Sequence, residues 1–329
     1  MSLWSTLFRS PLPGLAPTHP SSISLYSYDA SKRRWSRGTR LPALSNNHLP
    51  FALLTWNVDF TGPLPIRRVN AALEHLEKVL SPRLNSPPPP PTIILLQEVY
   101  ASCFPAFLSN AFVREFYEMT NVSSQQAYST LTLVPKSLAP LVSSVSRIPF
   151  IDTTMRRDCL YIDIDLPSSE STPEPRITRL RIANTHLESL SGYGDTARPK
   201  QLEAISKLLT APNIDCGLVA GDMNSISPSD QDLPQQVGLS DAWSPVTANM
   251  ESPVEDSGAA DTGEAEGHTW GYQPPCKYPP KRLDKILTVG KLSATDIKRI
   301  GVGLTVEVDG DSTWVSDHYG LHATISVQT

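Results

Sequence analysis

The chain has 329 residues, 40% of them hydrophobic, and a formal net charge of −5 at pH 7. This is enough apolar material for one large or two ordinary domains with a buried core. The negative charge excludes a basic surface over the whole molecule, although a local cationic groove is compatible with it. No stretch is apolar and long enough for a signal peptide or a bilayer span. We therefore expect an intracellular protein of the nucleus, the cytoplasm or both, without membrane contact.

The four cysteines, Cys103, Cys159, Cys216 and Cys276, are far apart in the sequence. They form no CxxC or Cys/His cluster, which argues against a zinc site. In a chain of this size without a signal peptide we expect reduced thiols. Cys159 and Cys216 lie in strand-like runs and are predicted to be small core residues.

The N-terminal part differs in composition from the rest. Residues 1–49 are rich in Ser and Pro and show little periodicity, which predicts a partly ordered extension. One β-hairpin is predicted within it, over residues 24–35. Residues 50–329 carry regular hydrophobic patterns and are predicted to form one domain.

The domain opens with two apolar runs of strand length, over residues 51–58 and 92–99. Between them, apolar residues recur at three- and four-residue spacing over 66–80, which predicts an amphipathic helix. Arg67 and Arg68 are predicted to lie on the solvated face of this helix, in preference to a ligand-binding groove.

The centre of the domain is predicted to contain one helix, over residues 104–118, followed by several strands. These strands are predicted over residues 128–134, 158–166 and 177–187. Strict alternation of apolar and polar residues in the second strand is typical of a sheet with one solvent-facing side. The polar stretch 168–176 is predicted to be a hairpin loop.

The last part contains a predicted helix over residues 195–209, with Pro199 in its first turn, where proline is tolerated. Residues 244–267 are acidic and contain Gly, Ala, Ser and Pro, which predicts a long mobile loop. The strands of this part are predicted over residues 217–220, 282–289 and 321–327. Many strands and few helices together predict an α/β fold: two stacked mixed β-sheets flanked by helices, a four-layer α/β sandwich.

Polar side chains recur at the ends of the apolar strands, where α/β enzymes place reactive groups. Asp222 and Asn224 alone could be an Asp-x-Asn turn in which each side chain bonds its own backbone. Repetition of the pattern at other strand ends favours a shared site. The candidates are Asn57, Glu98, His186, Asp222, Asn224, Asp284, Asp317 and His318.

This set is chemically coherent. Glu98, Asn57 and Asp317 offer hard oxygen ligands, which suit Mg²⁺ or Mn²⁺. His186 and His318 could hydrogen-bond phosphoryl oxygens, and Asp284 could hold His318 in its protonated form. Asp222, positioned with Asn224, remains as the candidate base for water. The inventory predicts metal-assisted hydrolysis of a phosphodiester or phosphomonoester.

Six short strings in this order resemble the signature motifs of the endonuclease/exonuclease/phosphatase superfamily, over about residues 50–329. They are TWN at 55–57, LQE at 96–98, NTHL at 184–187, GDMN at 221–224, RLDKI at 282–286 and SDH at 316–318. The resemblance implies a divalent-metal-dependent phosphohydrolase, with Mg²⁺ as the cofactor and Mn²⁺ as a substitute.

Within the superfamily the chain looks most like the 5′-tyrosyl-DNA phosphodiesterases, which repair topoisomerase–DNA adducts. That resemblance implies a monomer acting on DNA with a 5′-phosphotyrosyl end, single-stranded near the end. The residues at matching substrate-contact positions are Tyr128, Arg157, Ser189 and Trp270. Trp270 in particular could stack on an unpaired base. Ser191 and Ile226 depart from the pattern, because the vertebrate enzymes carry arginines there.

Two alternatives stay open. One is another activity of the same superfamily: abasic endonuclease, deadenylase, or inositol or lipid phosphatase. The other is a non-catalytic scaffold that binds a ligand in the same cleft. The scaffold is disfavoured because no position of the catalytic inventory has been lost.

Overall fold

The computed structural model describes residues 19–38, 51–59, 61–167, 177–243, 267–308 and 310–328. The predictions for residues 1–18 and 39–49, for the loop 168–176 and for nearly all of the acidic loop 244–267 lie outside these residues.

The described residues form two large mixed sheets and a small hairpin. Their strands are β1 (Ser21–Ser22), β2 (Tyr26–Asp29), β3 (Arg34–Arg37), β4 (Phe51–Asn57), β5 (Thr92–Tyr100), β6 (Tyr117–Met119), β7 (Tyr128–Pro135), β8 (Val142–Pro149), β9 (Asp158–Pro167), β10 (Ile177–His186), β11 (Cys216–Asp222), β12 (Ser240–Asp241), β13 (Asp284–Gly290), β14 (Leu292–Ile300), β15 (Thr305–Val308), β16 (Asp311–Trp314) and β17 (Gly320–Val327). One sheet has seven strands in the order β1-β8-β9-β10-β11-β13-β12, and the other has eight in the order β14-β17-β4-β5-β7-β6-β2-β3. Strands β15 and β16 pair only with each other.

The helices lie on the outer faces of the two sheets. They are α1 (Pro65–Leu80), α2 (Phe104–Ser109), α3 (Ala111–Phe116), α4 (Tyr193–Leu209) and α5 (Leu233–Gln236). Helices α1 to α3 share a buried apolar cluster with the eight-stranded sheet, and α4 and α5 share one with the seven-stranded sheet. A third cluster, which includes Leu53, Ile93, Ile162 and Leu218, fills the space between the sheets. The predicted four-layer α/β sandwich is therefore confirmed.

Most predicted strands are confirmed, including the short run that ends at Asp222, which extends from Cys216 to Asp222. The predicted N-terminal hairpin is formed by β2 and β3. Cys159 and Cys216 are buried core residues, as predicted.

The helix predicted over residues 104–118 is wrong, because the chain breaks it at Asn110. Helix α2 ends at Ser109, and the extended Asn110 accepts the Val113 N–H with its side chain at 3.0 Å, which caps α3. Helix α3 ends at Phe116, where β6 begins. A side-chain cap in mid-segment outweighs the apolar periodicity that runs through it.

The solvent-facing side predicted for β9 is also wrong. Tyr161 and Asp163 are buried, because α4 covers that face of the sheet. Asp163 forms an ion pair with Arg181 on β10 at 2.7 Å, and Arg181 also donates to the Leu208 carbonyl at the end of α4. Alternating polarity here reflects cross-strand ion pairs under a helix, and not exposure to water.

Seven strands were not predicted: β1, β6, β8, β12, β14, β15 and β16. The two longest of them, β8 and β14, each contain a β-bulge that interrupts the alternation of the strand. In β8 the register shifts between Val142 and Ser144, and in β14 it shifts between Thr295 and Lys298.

The predicted place of Pro199 is wrong as well. Helix α4 begins at Tyr193, so Pro199 lies inside the helix and not in its first turn.

The predicted solvated arginine pair is half wrong. Arg67 is exposed, but only 2% of Arg68 is exposed, and its guanidinium pairs with Asp59 at 2.8 Å.

One buried amide pair joins the two sheets. Gln97, on β5, donates to the Asn184 Oδ1 atom on β10 at 2.9 Å and to Thr55 on β4 at 3.0 Å. Asn184 in turn donates to the Leu96 and Leu131 carbonyls at 3.2 and 3.1 Å. Glu98 follows Gln97 directly, and His186 lies two residues beyond Asn184. The amide pair therefore connects the sheets immediately below the strand ends.

Candidate active site

The candidate residues meet where two pairs of parallel strands end. Strands β4 and β5 are parallel, with Asn57 beside Gln97, and β10 and β11 are parallel, with His186 beside Asp222. The carboxyl ends of both pairs lie at the same edge of the sandwich, where Asn57 and Asp222 are in contact. Side chains that follow these strands can therefore converge on one ligand.

Asp222 is the centre of the cluster and is 2% exposed. Its Oδ2 atom accepts the Asn57 amide at 3.0 Å and lies 3.2 Å from His186 Nε2 and 3.8 Å from His318 Nε2. Its Oδ1 atom accepts the Asn224 backbone N–H at 2.9 Å. Burial alone would raise the pKa of Asp222, but the two imidazoles and these hydrogen bonds outweigh it and lower that pKa. The carboxyl group is therefore held ionised.

The backbone at this strand end is shaped for the turn. Gly221 has a φ of 146°, and a Cβ atom there would lie 1.9 Å from the Thr185 carbonyl oxygen, so only glycine fits. Glu98 and Asn224 have φ values of 57° and 47°, an uncommon conformation for residues with side chains. Strained backbone of this kind clusters at functional sites.

His186 is buried and held by Arg157. The Nη1 atom of Arg157 lies 2.8 Å from Nδ1 of His186, and its Nη2 atom donates to the Ser189 hydroxyl at 2.8 Å. Burial lowers the pKa of His186 well below its usual range, and the positive charge of Arg157 lowers it further. His186 is therefore a neutral imidazole.

His318 is in the opposite state. Its Nδ1 atom lies 2.8 Å from Oδ2 of the fully buried Asp284. Burial opposes a charge on this imidazole, but Asp284, Asp317 and Asp222 outweigh burial and raise the pKa of His318 well above its usual range. His318 is therefore an imidazolium that can donate from both nitrogens.

Glu98 and Asp317 form an acidic corner beside the histidines. Glu98 Oε1 lies 3.7 Å from His186 Nδ1, and Asp317 Oδ1 lies 3.8 Å from His318 Nε2. Burial raises the pKa of Glu98 to about 7 in spite of Arg157, and the negative charges of Asp317 and Asp59 add to the rise. The corner therefore has more negative charge than its protein neighbours balance. Oxygen donors with a deficit of positive charge fit a hard divalent cation.

A second set of possible ligands, Asp222, Asp284 and His318, lies within 4.8 Å of one another. His318 is charged there, so neither of its nitrogens has a lone pair to offer a metal. We therefore interpret this set as two carboxylates paired with one imidazolium, and not as a metal centre. The Asn57 oxygen, a predicted metal ligand, accepts the Asp59 backbone N–H at 2.9 Å.

The predicted substrate-contact residues border the same site on two sides. Tyr128 lies beside the Arg157 guanidinium, which is 5.3 Å from its ring centroid, and both line a cleft of ≈ 260 Å³ that also includes Glu98 and His186. Trp270, on the other side, is half-buried and donates its indole N–H to Asp317 Oδ2 at 3.0 Å. Arg157 is 5% exposed, and its guanidinium hydrogen-bonds His186, Ser189 and the Met155 sulfur.

Glu188, which hydrogen-bonds residues next to the site, was not predicted from the sequence. The buried Glu188 carboxylate accepts from Thr153, from the Thr154 N–H at 2.8 Å and from the Met155 N–H at 3.1 Å. It therefore anchors the loop that carries Arg157. Its position two residues after His186, in a strand end that is otherwise polar, was the available signal.

Comparison with known proteins agrees with this geometry. A family model described as the Endonuclease/Exonuclease/phosphatase family matches residues 54–318. The chain belongs to this family. The resemblance inferred from the six motifs is thus confirmed, and members of the family are hydrolases of phosphodiester bonds that use divalent metal ions. A search of curated proteins found no match to the sequence.

Solved structures of the endonuclease/exonuclease/phosphatase family share the fold at low identity. D. rerio TDP2, complexed with single strand DNA product, is 20% identical, with a TM-score of 0.59 over 84% of this chain and 99% of that chain. TDP2 from C. elegans is 19% identical, with a TM-score of 0.58 over 84% of this chain and 75% of that chain. A family protein from Bacteroides vulgatus is 15% identical, with a TM-score of 0.55 over 85% of this chain and 100% of that chain. TDP2 proteins are 5′-tyrosyl-DNA phosphodiesterases.

Among the described residues, no helix has both the length and the apolar character needed to cross a bilayer.

Proposed function

We propose that this protein is a Mg²⁺-dependent phosphodiesterase that hydrolyses 5′-phosphotyrosyl DNA ends. The observation that carries the proposal is the position of Asp222, a buried carboxylate that accepts the Asn57 amide and lies between the imidazoles of His186 and His318. A buried base next to fixed hydrogen-bond donors suits attack of water on a phosphoryl group.

Glu98, with Asp317 and the Asn57 oxygen, would hold the cation at the acidic corner. A divalent ion bound there supplies polarisation of a phosphoryl oxygen and neutralises charge that develops on it. The chain's own residues do the rest. Asp222 accepts the proton of the attacking water, and Asn57 and the Asn224 N–H fix the direction of its two oxygens.

The two histidines stabilise the phosphoryl group in different ways. His318 contributes a fixed positive charge, which Asp284 maintains, and His186 contributes a neutral N–H donor. Asn224 donates its side-chain amide to the Leu187 carbonyl at 3.0 Å, which keeps the β10 and β11 ends together. A tyrosine leaving group has a pKa near 10, so it needs little protonation and no dedicated general acid.

The substrate assignment rests on the groups that border the site. Arg157, Tyr128 and Ser189 on one side and Trp270 on the other would contact the phosphotyrosyl end and a short single strand. The zebrafish TDP2 that shares the fold was crystallised with a single strand DNA product. We place the reaction in repair of topoisomerase–DNA adducts, carried out by a monomer in the nucleus or the cytoplasm.

A second candidate is a different phosphodiester or phosphomonoester substrate of the same family. The observation that favours it is the absence of arginine at Ser191 and Ile226, which leaves less positive charge for a DNA strand. Abasic DNA, poly(A) and inositol phosphates are the substrates to compare.

The experiment is a turnover comparison at equal enzyme and Mg²⁺ concentration. We expect the 5′-phosphotyrosyl oligonucleotide to have the highest kcat/KM of the four substrate classes. A higher kcat/KM on abasic DNA, poly(A) or inositol phosphates would assign the protein to that activity instead. Asp222→Asn is the matched active-site control, and we expect it to lower turnover on the order of 10²-fold or more while metal binding is largely kept. Glu98→Ala should weaken metal binding itself.

The effect of the missing arginine on DNA binding can be tested by substituting arginine at position 226. Ile226→Arg should tighten binding to 5′-tyrosyl DNA and make binding more dependent on salt, because a further phosphate is neutralised. Leu190→Arg, at an exposed position near the site, is the control for a general increase in charge.

A further inference from the structure

Arg68 is a buried arginine next to an exposed one. It lies in the first turn of α1 and is 2% exposed, whereas its neighbour Arg67 is exposed. A guanidinium in the interior is expensive unless its charge is paired and its N–H groups are bonded. The hydrogen-bond partners of Arg68 therefore show which segments of the fold this buried guanidinium holds in place.

The Arg68 side chain bonds two separate segments at once. Its Nη2 atom donates to the Val58 and Asp59 carbonyls at 3.2 and 2.8 Å and to Asp59 Oδ2 at 2.8 Å. Its Nε atom donates to the Trp314 and Val315 carbonyls at 3.0 and 3.1 Å. The first segment follows β4 and the second precedes β17. The rigid planar guanidinium fixes the spacing between them.

These two segments carry three of the eight candidate site residues. Asn57 is the residue before Val58, and Asp317 and His318 follow Val315 by two and three positions. Ser316 reinforces the connection, since its hydroxyl donates to the Asn57 carbonyl at 2.6 Å and accepts the His318 N–H at 3.0 Å. A change in the spacing of the segments would move Asn57 relative to both Asp317 and His318.

The structure also leaves room for this guanidinium. A Cβ atom at Gly62 would lie 2.3 Å from Arg68 Nη1 and 2.8 Å from Asp59 Oδ2. Gly62 is thus a second position from which the contact can be disturbed without removing the arginine.

We propose that Arg68 is a positioning residue that sets the distance between the Asn57 segment and the Ser316–His318 segment, and so aligns Asn57 with Asp317 and His318. The inference rests on the proposed function, because that alignment matters for metal binding and hydrolysis. Groups that orient a metal site from behind typically affect metal affinity or activity by about 10- to 100-fold.

The test uses the full chain and four variants: Arg68→Met, Arg68→Lys, Gly62→Ala and the matched control Arg67→Met. Mn²⁺ affinity is measured by calorimetry, and kcat and KM are measured on the p-nitrophenyl ester of thymidine 5′-monophosphate. All assays are run well below the melting temperature of the least stable variant, with folding checked by circular dichroism.

We expect Arg68→Met and Gly62→Ala to lower kcat and Mn²⁺ affinity by on the order of 10-fold or more, with little change in KM. Arg68→Lys should regain stability and not kcat, because one ammonium cannot span both segments. Arg67→Met should match the wild type. If Arg68→Met does not fold, Arg68→Lys and Gly62→Ala decide the question.

The proposal is overturned if the folded variants lose only thermal stability and keep wild-type kcat and Mn²⁺ affinity. A wild type that binds Mn²⁺ but hydrolyses no phosphodiester would overturn the proposed function alone. In that case, Mn²⁺ affinity still tests the role of Arg68.

Discussion

The guanidinium of Arg157 lies 2.8 Å from Nδ1 of His186 and fixes the tautomer of that imidazole. An arginine can only donate, so Nδ1 must accept and the proton resides on Nε2, 3.2 Å from Asp222. His318, on the other side of Asp222, is held as a cation by Asp284. His186 and His318 both neighbour Asp222, but they have different charges. The contact with Arg157 keeps His186 neutral, and the contact with Asp284 keeps His318 charged.

Removing the charge of Arg157 should raise the pKa of His186. In Arg157→Met the repulsion between the guanidinium and a protonated imidazole is gone, whereas burial remains, so the pKa should rise only part of the way to its ordinary value. Titration of the imidazole signals by NMR measures this directly. Arg156→Met is the control, because Arg156 is exposed and its charge is screened by water. An unchanged His186 pKa in Arg157→Met would show that the charge of Arg157 does not help to keep this imidazole neutral.

Glu98→Gln should make the metal-free protein more stable at alkaline pH. The folded-state pKa of Glu98 is about 7, against an ordinary value of 4.5, so the folded state binds this proton more tightly. Stability is therefore lost as pH rises from about 4.5 through 7, and a neutral glutamine avoids the loss. Melting temperatures in a chelator at pH 6 and pH 8 test this, with the exposed Glu74→Gln as control.

The same variant should respond less to metal. Added Mg²⁺ should raise the melting temperature of the wild type and raise that of Glu98→Gln much less, because binding to the folded state alone stabilises it. Equal metal-induced shifts in both proteins would remove Glu98 from the ligand set.

Trp270 would contribute to substrate binding through its ring and to the arrangement of the site through its indole N–H. Its ring would stack on a base, worth roughly 1–3 kcal/mol, and its N–H bonds Asp317 at 3.0 Å. Trp270→Ala should weaken binding to 5′-tyrosyl DNA, whereas Trp270→Phe should keep most of that affinity. A tyrosine-nucleotide mimic too small to reach the ring isolates the N–H, and both variants should hydrolyse it at similar rates. Affinity for DNA that is equally reduced in the Phe and Ala variants would rule out stacking.

His322 should make the protein sensitive to acid. Burial lowers the pKa of His322 to about 4, and the charge of Lys298 adds to the effect. The unfolded chain takes up a proton near pH 6.5 and the folded chain does not, so stability is lost as pH falls from about 6.5 to 4. Between pH 7.5 and pH 5, His322→Gln should reduce the loss in unfolding free energy by about 1–2 kcal/mol.

Urea unfolding at both pH values measures that difference, and the exposed His19→Gln serves as control. An acid-induced loss in His322→Gln as large as that of the wild type would mean that another group is responsible.

The sequence predicts the site better than it predicts the contacts behind it. Asp222 and Glu98 end apolar runs, so local patterns suffice to place both at a strand end. The partners of Arg157 cannot be predicted this way, because the β8–β9 loop and the end of β10 meet only in the folded chain. Arg157 was predicted only as a substrate contact, and its contacts with His186 and Ser189 become visible only in the structure.

Arg68 shows a signal that was present and misjudged. It lies four residues before Ala72 and eight before Leu76, which places it on the buried face of α1. A charged residue on an apolar helical face indicates a buried ion pair, and Asp59 is its partner. The strands β8 and β14 were missed for a different reason, since a bulge shifts the alternation that would reveal them.

The amide pair of Gln97 and Asn184 has a consequence for how this cleft can open. It joins the sheets directly beneath Glu98 and His186, with both amides fully buried. Opening of the sheets at the cleft would break the hydrogen bonds of these amides, and each group left without a partner costs about 1–3 kcal/mol. Amide protons at the ends of β4, β5, β10 and β11 should therefore exchange with solvent as slowly as the most protected core, through global unfolding. Ligand access would then depend on the loops around the rim, while the floor of the cleft stays closed as long as the protein is folded.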